Sequence, residues 1–234
     1  MLHDVCLRIP VGGRLALVGP TGAGKSTLAK LAARLYDPTE GRVRFAGVDL
    51  RDATLSSLRH RVVVVPQEGF LFNGTIRDNV RLARAGATDA EVDDALRAVD
   101  AYERFAALPE GLDTEVRDRG SRLSAGEKQL VSLARIALAD PAVLVLDEAT
   151  SSLDPGTEAL VETAVDRLME GRTVVVIAHR LSTAERADLV AVVDRGRLVE
   201  VGTHADLVRR GGRYAALHAA WVTSGAGTVG VAGA

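Results

Sequence analysis

The chain has 234 residues, a formal net charge of -2, 47% hydrophobic and 26% charged residues. This length fits one domain, or one domain with an inserted subdomain, that can bury a sizeable core. The near-neutral charge argues against a protein that coats nucleic acid by charge alone, and the single cysteine, Cys6, excludes a disulfide within the chain. No run approaches the ~20 apolar residues of a membrane-spanning helix, so action at a membrane would require a partner that crosses it.

The predicted strands are short, continuous apolar runs, which are typical of strands buried on both faces of a parallel sheet. Apolar residues at helical spacing lie between them, and this alternation predicts an α/β fold. The strands are expected at Leu15–Gly19, Val62–Val65, Val143–Asp147 and Thr173–Ala178, and apolar helical stripes follow at residues 25–35, 130–138 and 160–168.

The stretch from residue 69 to residue 140 has turn signals and helical segments but no convincing strand. One helix should begin at Thr88, because Thr88 and Glu91 form a capping-box pattern. We therefore predict an inserted helical subdomain over 69–140, within a core formed by 1–68 and 141–221. The composition of residues 222–234 predicts a disordered tail.

A glycine-rich segment with the pattern GxxxxGK(S/T) follows the first strand and opens the first helix. This is the setting of a phosphate-binding P-loop, in which backbone N–H groups and the positive helix end surround the phosphates. Lys25 would pair with the β- and γ-phosphates, and the Ser26 hydroxyl would bind Mg²⁺. The alternative is a glycine turn before an ordinary helix. The segment consists of Gly19, Pro20, Thr21, Gly22, Ala23, Gly24, Lys25, Ser26 and Thr27.

Two carboxylates, Asp147 and Glu148, end the strand that begins at Val143. Ligands of α/β sheets bind at the carboxyl ends of the strands. Asp147 suits the shell of a Mg²⁺ ion, and Glu148 suits a base that orients the attacking water. The alternative is a solvated acidic turn after the strand, and the P-loop upstream makes it the minor explanation.

Ser124 precedes another helical stripe, and Ser124 with Glu127 forms a second capping-box pattern. Two interpretations are equally supported by these residues. Ser124 either caps the helix and does nothing more, or the helix start also presents N–H groups to a phosphate.

The order of these motifs resembles the ATP-binding domains of ABC transporters, over nearly the whole chain from Leu2 to Trp221. The segments that carry the resemblance are the P-loop, Gln67, the signature Leu123–Gln129, the segment Val143–Asp154 and His179. It implies a P-loop NTPase core of the RecA-like type, with a parallel sheet, a small N-terminal antiparallel part and an inserted helical subdomain.

The resemblance also implies the ligands, ATP and Mg²⁺, and the role of each matched residue. Glu148, His179, Lys25 and Gln67 would be catalytic, with His179 contacting the γ-phosphate. Ser26, Gln67 and Asp147 would surround the metal. Ser124 and Gly126 would bind the γ-phosphate held by a second ATP-binding domain, and Asp154 would lie at the seam of the two domains. For Asp154 a helix cap before Pro155 is an equally complete explanation, and a lone histidine such as His179 is usually structural.

Two segments resemble the exporter branch in particular, Gln67–Val80 and Thr114–Gly120. They imply contact with transmembrane partner subunits and no nucleic-acid partner. The implied location is peripheral, at the cytoplasmic face of the plasma (inner) membrane.

The chain departs from the family pattern at several positions. Ala125 and Glu127 replace a glycine and a glutamine of the signature, and Arg117 and Asp118 replace Gly and Glu. Relatives carry an aromatic residue that stacks on adenine, upstream of the segment that begins at Leu2. This sequence has no counterpart of that residue, so weak discrimination between ATP and other nucleoside triphosphates is expected. Two alternatives remain: a catalytically weak, truncated domain, or a soluble ABC ATPase not involved in transport.

Overall fold

The computed structural model describes residues 2–65, 69–117, 123–147, 155–178 and 180–226. The strands are β1 (Arg14–Val18), β2 (Arg44–Phe45), β3 (Val48–Asp49), β4 (Val62–Val65), β5 (Gly74–Thr75), β6 (Glu115–Val116), β7 (Val143–Asp147), β8 (Thr173–Ile177), β9 (Leu189–Asp194) and β10 (Arg197–Gly202). The helices are α1 (Lys25–Ala32), α2 (Leu55–Arg61), α3 (Ile76–Arg81), α4 (Asp89–Ala98), α5 (Tyr102–Ala106), α6 (Ala125–Ala139), α7 (Pro155–Met169), α8 (Leu181–Glu185), α9 (His204–Arg210) and α10 (Arg213–Ala226).

The chain divides into two compact units. The first contains the described residues of 1–52, 145–148 and 173–234, and the second contains those of 53–144 and 149–172. This division differs from the predicted subdomain boundaries, because β4 and α7 belong to the second unit.

The first unit is built on a sheet in which β10, β9, β1, β8 and β7 are neighbours in this order. β1 is parallel to both β8 and β9, with Leu17 opposite Ile177 and Ala191. The residues from Leu15 to Val18 are fully buried, as expected of a central strand covered on both faces. The fold is therefore the predicted α/β class. Two pairs of strands in this unit are antiparallel, β10 with β9 and β2 with β3.

The second unit is mostly helical, and α6 is its centre because α3, α4 and α7 all pack against it. Both predicted capping boxes are present, at Thr88 before α4 and at Ser124 before α6. The prediction that 69–140 lacks strands was wrong. β5 and β6 pair antiparallel, with Gly74 opposite Val116 and Thr75 opposite Glu115. The buried side chains of this unit include Leu71, Ile76, Val92, Leu96, Phe105, Leu130, Leu133, Val161 and Leu168.

The last described helix, α10, is attached to the first unit by polar contacts at its start. The Glu200 carboxylate accepts hydrogen bonds from the backbone N–H groups of Arg213 (2.6 Å) and Tyr214 (3.0 Å). Burial, assisted by the negative charge of Glu185, raises the pKa of Tyr214 to about 12. The helix continues to Ala226, so it includes residues 222–226 of the stretch that was predicted to be disordered.

No helix among the described ranges has both the length and the apolar character required to cross a membrane.

Candidate phosphate-binding site

The glycine loop connects β1 to α1 in a conformation that only glycine tolerates at its two ends. Gly19 has a φ of +144°, and a Cβ atom there would lie 2.0 Å from the carbonyl oxygen of Val193. Gly24, the N-cap residue of α1, has a φ of +110°. A side chain at either position would therefore be strained. The loop is also fixed from outside, because the N–H of Gly196 donates to the carbonyl of Ala23 (2.8 Å).

The start of α1 has no counter-charge of its own. No side chain caps it, and its first turn contains no acidic residue. The first N–H groups of a helix lack partners within the helix and carry partial positive charge. An anion such as a phosphate is therefore the natural partner of this helix start.

Lys25 lies at the same helix start, with its side chain buried. Its Nζ donates to the carbonyl oxygens of Gly19 (2.7 Å) and Pro20 (2.9 Å). Burial lowers the pKa of Lys25 below 10.5, and the negative charge of Asp147 acts in the opposite direction. Asp147, the last residue of β7, therefore lies near the ammonium group. A buried cation that donates to neutral carbonyls can gain strongly from an added phosphate, which accepts a charge-assisted hydrogen bond.

The donor set fits a nucleotide with its magnesium ion. The hydroxyl-bearing residues Ser26 and Thr27 are exposed at the first turn of α1, and Asp147 is half-buried at the strand end. Hydroxyl and carboxylate oxygens are the ligands that Mg²⁺ prefers. The exposed loop residues Pro20, Thr21 and Gly22 leave the loop accessible.

Four of the predicted site residues, Gln67, Glu148, Asp154 and His179, lie outside the described residues. Two strand ends next to them are described. β7 ends at Asp147, immediately before Glu148. The N–H of Ala178 donates to the carbonyl of Leu17 (3.0 Å), so the residue before His179 is hydrogen-bonded to β1, just before the glycine loop. The roles assigned to these four residues stay predictions.

The second helix start predicted to contact phosphate, that of α6, is occupied by its own side chains. The N–H of Glu127 donates to Ser124 Oγ (3.2 Å), and the N–H of Ser124 donates to Glu127 Oε2 (2.8 Å). Arg104 Nε donates to Glu127 Oε1 (3.0 Å). Burial alone would raise the pKa of Glu127, but these hydrogen bonds outweigh it and hold the pKa below 4.5. The capping interpretation of Ser124 is therefore confirmed, and a role with phosphate stays a prediction.

Gly126 is required by packing inside the second unit. A Cβ atom at this position would lie 1.7 Å from the Cγ2 atom of Thr157 on α7. This contact fixes the position of the first turn of α6 against α7. The neighbouring Ala125 and Ser124 are exposed, so the side of the turn that faces solvent is formed by these two residues.

The segment Phe70–Val80 presents two exposed aromatic rings from a rigid base. Phe70 and Phe72 are 50% and 55% exposed, and their rings meet edge to face with centroids 5.0 Å apart. Beneath them, buried Asn79 donates to the carbonyl oxygens of Phe72 and Thr75, and its Oδ1 accepts from the N–H of Phe72. The local hydrogen bonding therefore shapes the segment independently of any partner.

Arg135 of α6 is a part of this base that the sequence did not reveal. Its guanidinium donates to the carbonyl oxygens of Asn79 (2.6 Å) and Phe70, and to Asn79 Oδ1. The sequence contained one indication of this role. Arg135 is a charged residue within the otherwise apolar stretch Leu130–Leu138, and a buried charge requires partners.

The two segments predicted to meet transmembrane partners are hydrogen-bonded to each other. The pairing of β5 with β6 joins residues 74–75 to residues 115–116, and the N–H of Ile76 also donates to the carbonyl of Thr114 (3.2 Å). Within the second unit these contacts hold the two segments side by side. Residues 67–68 and 118–120 of these segments lie outside the part of the chain that the structure describes.

The glycine loop, the uncapped helix carrying Lys25 and the strand-end carboxylate Asp147 define the class of this protein. It is an α/β protein with a P-loop nucleotide-binding site.

The family follows from comparison with known proteins. The model of the ABC transporter family matches residues 2–151, more than half of the chain, and the chain therefore belongs to this family. It is similar to the ATPase domains of exporter-type members, which hydrolyse ATP.

Individual relatives agree with this assignment. The chain is 50% identical over 216 residues to the uncharacterized ABC transporter ATP-binding protein YknV of Bacillus subtilis, covering 92% of this chain and 36% of that protein. It is 48% identical over 216 residues to the β-(1→2)glucan export ATP-binding/permease protein NdvA of Brucella suis, with the same two shares. A solved bacterial Atm1-family ABC exporter with ATP bound matches with a TM-score of 0.82 and 46% identity, over 93% of this chain and 38% of that one. The chain thus spans little more than a third of these relatives.

Proposed function

We propose that this chain is the motor of a membrane exporter, which closes with a second ATP-binding domain around two molecules of ATP and drives a transmembrane partner. The observation that carries the proposal is the glycine loop, in which two glycines with positive φ, an uncapped helix start and the buried Lys25 ammonium converge. A loop of this form stabilises several phosphate oxygens at once. The similarity to exporter ATPase domains supports export as the direction of transport. The choice of transported substrate belongs to the transmembrane partner.

In the proposed reaction, Lys25 of the P-loop binds the phosphates of ATP, and the neighbouring residues hold the metal and the attacking water. Lys25 leaves the Gly19 and Pro20 carbonyls and pairs with the β- and γ-phosphates, while Ser26 and Asp147 hold the metal. When bound, Mg²⁺ neutralises the charge that develops on the γ-phosphoryl oxygens. Glu148 orients and polarises the attacking water, with Gln67 and His179 beside it.

The second domain completes the site with the first turn of α6. Ser124 is exposed, so its hydroxyl can approach a γ-phosphate held by another molecule, and Gly126 lets the turn that carries Ser124 pack closely against Thr157 of α7. Asp154 is proposed to lie at the same seam. One domain alone would then bind ATP but hydrolyse it slowly, since two parts of the site come from different molecules.

The contact with the transmembrane partner is proposed for the surface formed by residues 67–80 and 114–120. Its support is the pair of exposed rings of Phe70 and Phe72, held by Asn79 and Arg135. Aromatic side chains on a rigid base are frequent anchors of protein interfaces. This contact would place the chain peripherally, at the cytoplasmic face of the membrane.

The proposal is tested by measuring Mg²⁺-dependent ATP hydrolysis as a function of the concentration of the purified chain. Hydrolysis that rises faster than linearly is expected, because the active sites form only in the dimer. The matched control is Glu148→Gln, which keeps the size of the side chain and removes the base.

Two results would contradict the proposal. A specific rate independent of protein concentration would show a site complete within one molecule. A Glu148→Gln variant as active as the original chain would show that the hydrolysis measured does not use the proposed base.

A further inference from the structure

Three potential metal ligands from three different helices meet within the first unit. Glu185 is the last residue of α8, His204 is the first of α9, and His218 lies in α10. Each side chain offers one ligand atom, and these atoms lie within 4.8 Å of one another. The residues are separated by up to 33 positions along the chain, so the fold and not a local motif brings them together.

The distances are close to those of a bound transition metal. A tetrahedral ion with nitrogen and oxygen ligands at about 2.0–2.1 Å holds its ligand atoms roughly 3.4 Å apart. His218 Nε2 and Glu185 Oε1 are already 3.5 Å apart. No two ligand atoms exceed the tetrahedral separation by more than about 1.4 Å, and side-chain rotation can close such a gap because the Glu185 side chain is 41% exposed.

The environment of His204 is of the kind that prepares a histidine for a metal. Tyr214 Oη lies 2.8 Å from His204 Nδ1, and Tyr214 is itself fully buried, so the orientation of the His204 ring is fixed. Metal-binding histidines are commonly oriented by a hydrogen bond at the other ring nitrogen. The rings of His204 and His218 are neighbours, with centroids 5.2 Å apart.

The geometry points to a binding site for a divalent transition metal ion, formed by Glu185, His204 and His218, which joins α8, α9 and α10. Two imidazoles and one carboxylate suit Zn²⁺, and they also suit Ni²⁺ and Cu²⁺, whereas Mg²⁺ prefers oxygen ligands alone. Three protein ligands leave one position of a tetrahedral ion open to solvent. The site is separate from the phosphate loop, and its existence does not depend on the proposed function.

A structural alternative explains part of the cluster without a metal. His204 is engaged by Tyr214, and His218 can form an ion pair with Glu185 when it is protonated. Under this alternative the three residues would stabilise the helices directly, and added metal would bind elsewhere or not at all. The experiment must therefore measure the metal itself.

The test is a titration of the untagged, nucleotide-free chain with Zn²⁺ and with Co²⁺, followed by calorimetry and by the visible ligand-field absorption of Co²⁺. Cys6 is an exposed thiol, so the titration is performed in a Cys6→Ser background. We expect one ion per chain and a rise of Tm that a chelator reverses. His218→Gln and Glu185→Gln should each weaken binding at least tenfold.

The matched control is His60→Gln, which removes an exposed histidine of α2, outside the cluster, and should leave the affinity unchanged. Lys25→Ala separates this inference from the proposed function, because it should abolish nucleotide hydrolysis without changing metal binding. Equal affinity of the original chain and of His218→Gln, or the absence of binding, would overturn the inference. Circular dichroism of each variant shows that a loss of binding is not a loss of fold.

Discussion

The helices α1 and α6 both begin at segments assigned to phosphate, but their first turns are built in opposite ways. The start of α1 has no capping side chain, no acidic residue and a buried lysine. The start of α6 has a complete capping box, a carboxylate in its first turn and an arginine paired to that carboxylate. Among the described residues, the positive end of α1 has no capping side chain, whereas that of α6 is capped by Ser124 and Glu127.

The difference separates the two tasks of a composite site. α1 gains its missing partner when a phosphate arrives, so its unit should account for most of the affinity for nucleotide. α6 needs no ligand to be stable, and Glu127 partly neutralises its positive end. The start of α6 is therefore suited to complete a site in which a second ATP-binding domain already holds the nucleotide. It would contribute the Ser124 hydroxyl and no positive side-chain charge.

Lys25→Ala is expected to have the largest effect and would remove the charge that distinguishes α1. Nucleotide affinity should fall about 100-fold, since a hydrogen bond to a charged group contributes roughly 1.5–3 kcal/mol. Equilibrium binding of ATP measures this change. Lys30→Ala, an exposed lysine of the same helix, is the matched control and should bind as the original chain does.

The stability of the same variant shows whether the burial of Lys25 serves binding. Because its folded pKa is below 10.5, the unfolded chain binds this proton more tightly, and stability should rise with pH between the folded pKa and 10.5. Lys25→Ala should lose this dependence, and its free energy of unfolding at pH 7 should change by less than about 1 kcal/mol. A large loss of stability would make Lys25 a structural residue.

Gly126→Ala tests the packing that fixes the start of α6. The added methyl would overlap the Cγ2 atom of Thr157, and overpacking of this kind costs about 1–3 kcal/mol. Urea unfolding measures the loss. Thr157→Ser removes the opposing methyl and keeps the hydroxyl, so the double variant should recover most of the stability. If Gly126→Ala were neutral by itself, the close contact with α7 would be contradicted.

Ser124→Asp separates capping from phosphate contact at α6. Asp caps a helix about as well as Ser, so stability should stay within about 0.5 kcal/mol, whereas Ser124→Ala should lose about 1 kcal/mol. Hydrolysis by Ser124→Asp should nevertheless fall more than tenfold, because a carboxylate repels the γ-phosphate of the second molecule. Unchanged hydrolysis would leave Ser124 as a cap only.

Glu127→Gln should have the smallest effect. Glutamine keeps the capping hydrogen bond but loses the pairing with Arg104, which is worth about 0.5 kcal/mol for a partly exposed pair. The folded pKa of Glu127 lies below 4.5, so its contribution is present above that pH and is lost as the pH falls through the folded pKa. The stability difference between the two proteins, followed by urea unfolding from pH 7 downwards, should narrow below pH 4.5. A constant difference would exclude the charge as its cause.

The parts of the fold that the sequence predicted well are those with a local physical signal. β4 and β7 have the predicted bounds, because each is a short apolar run with a clear end, at Pro66 after β4 and at the carboxylate of Asp147 in β7. The capping boxes at Thr88 and Ser124 were predicted because both partners lie within four residues. The glycine loop was predicted for the same reason, and its positive φ values explain why glycine occupies both ends.

The features that the sequence did not predict depend on distant partners. β5 and β6 have only two residues each and no alternation of their own, so neither is recognisable before the other is placed beside it. The predicted helical stripe through Leu35 was too long, since α1 ends at Ala32 and Arg34 has a φ of +51°. Arg135 and the cluster around His204 likewise depend on contacts between separate helices.

The pairing of β5 with β6 has a consequence for how ATP-binding domains of this family can be recombined. Residues 74–75 and 115–116 share backbone hydrogen bonds, although about 40 positions of chain separate them. A chimera that imports the first segment from a relative and retains the second would join two strands that were never selected together. The smallest transplantable module therefore runs from before Phe70 to beyond Val116, and includes α4 and α5 between its two ends.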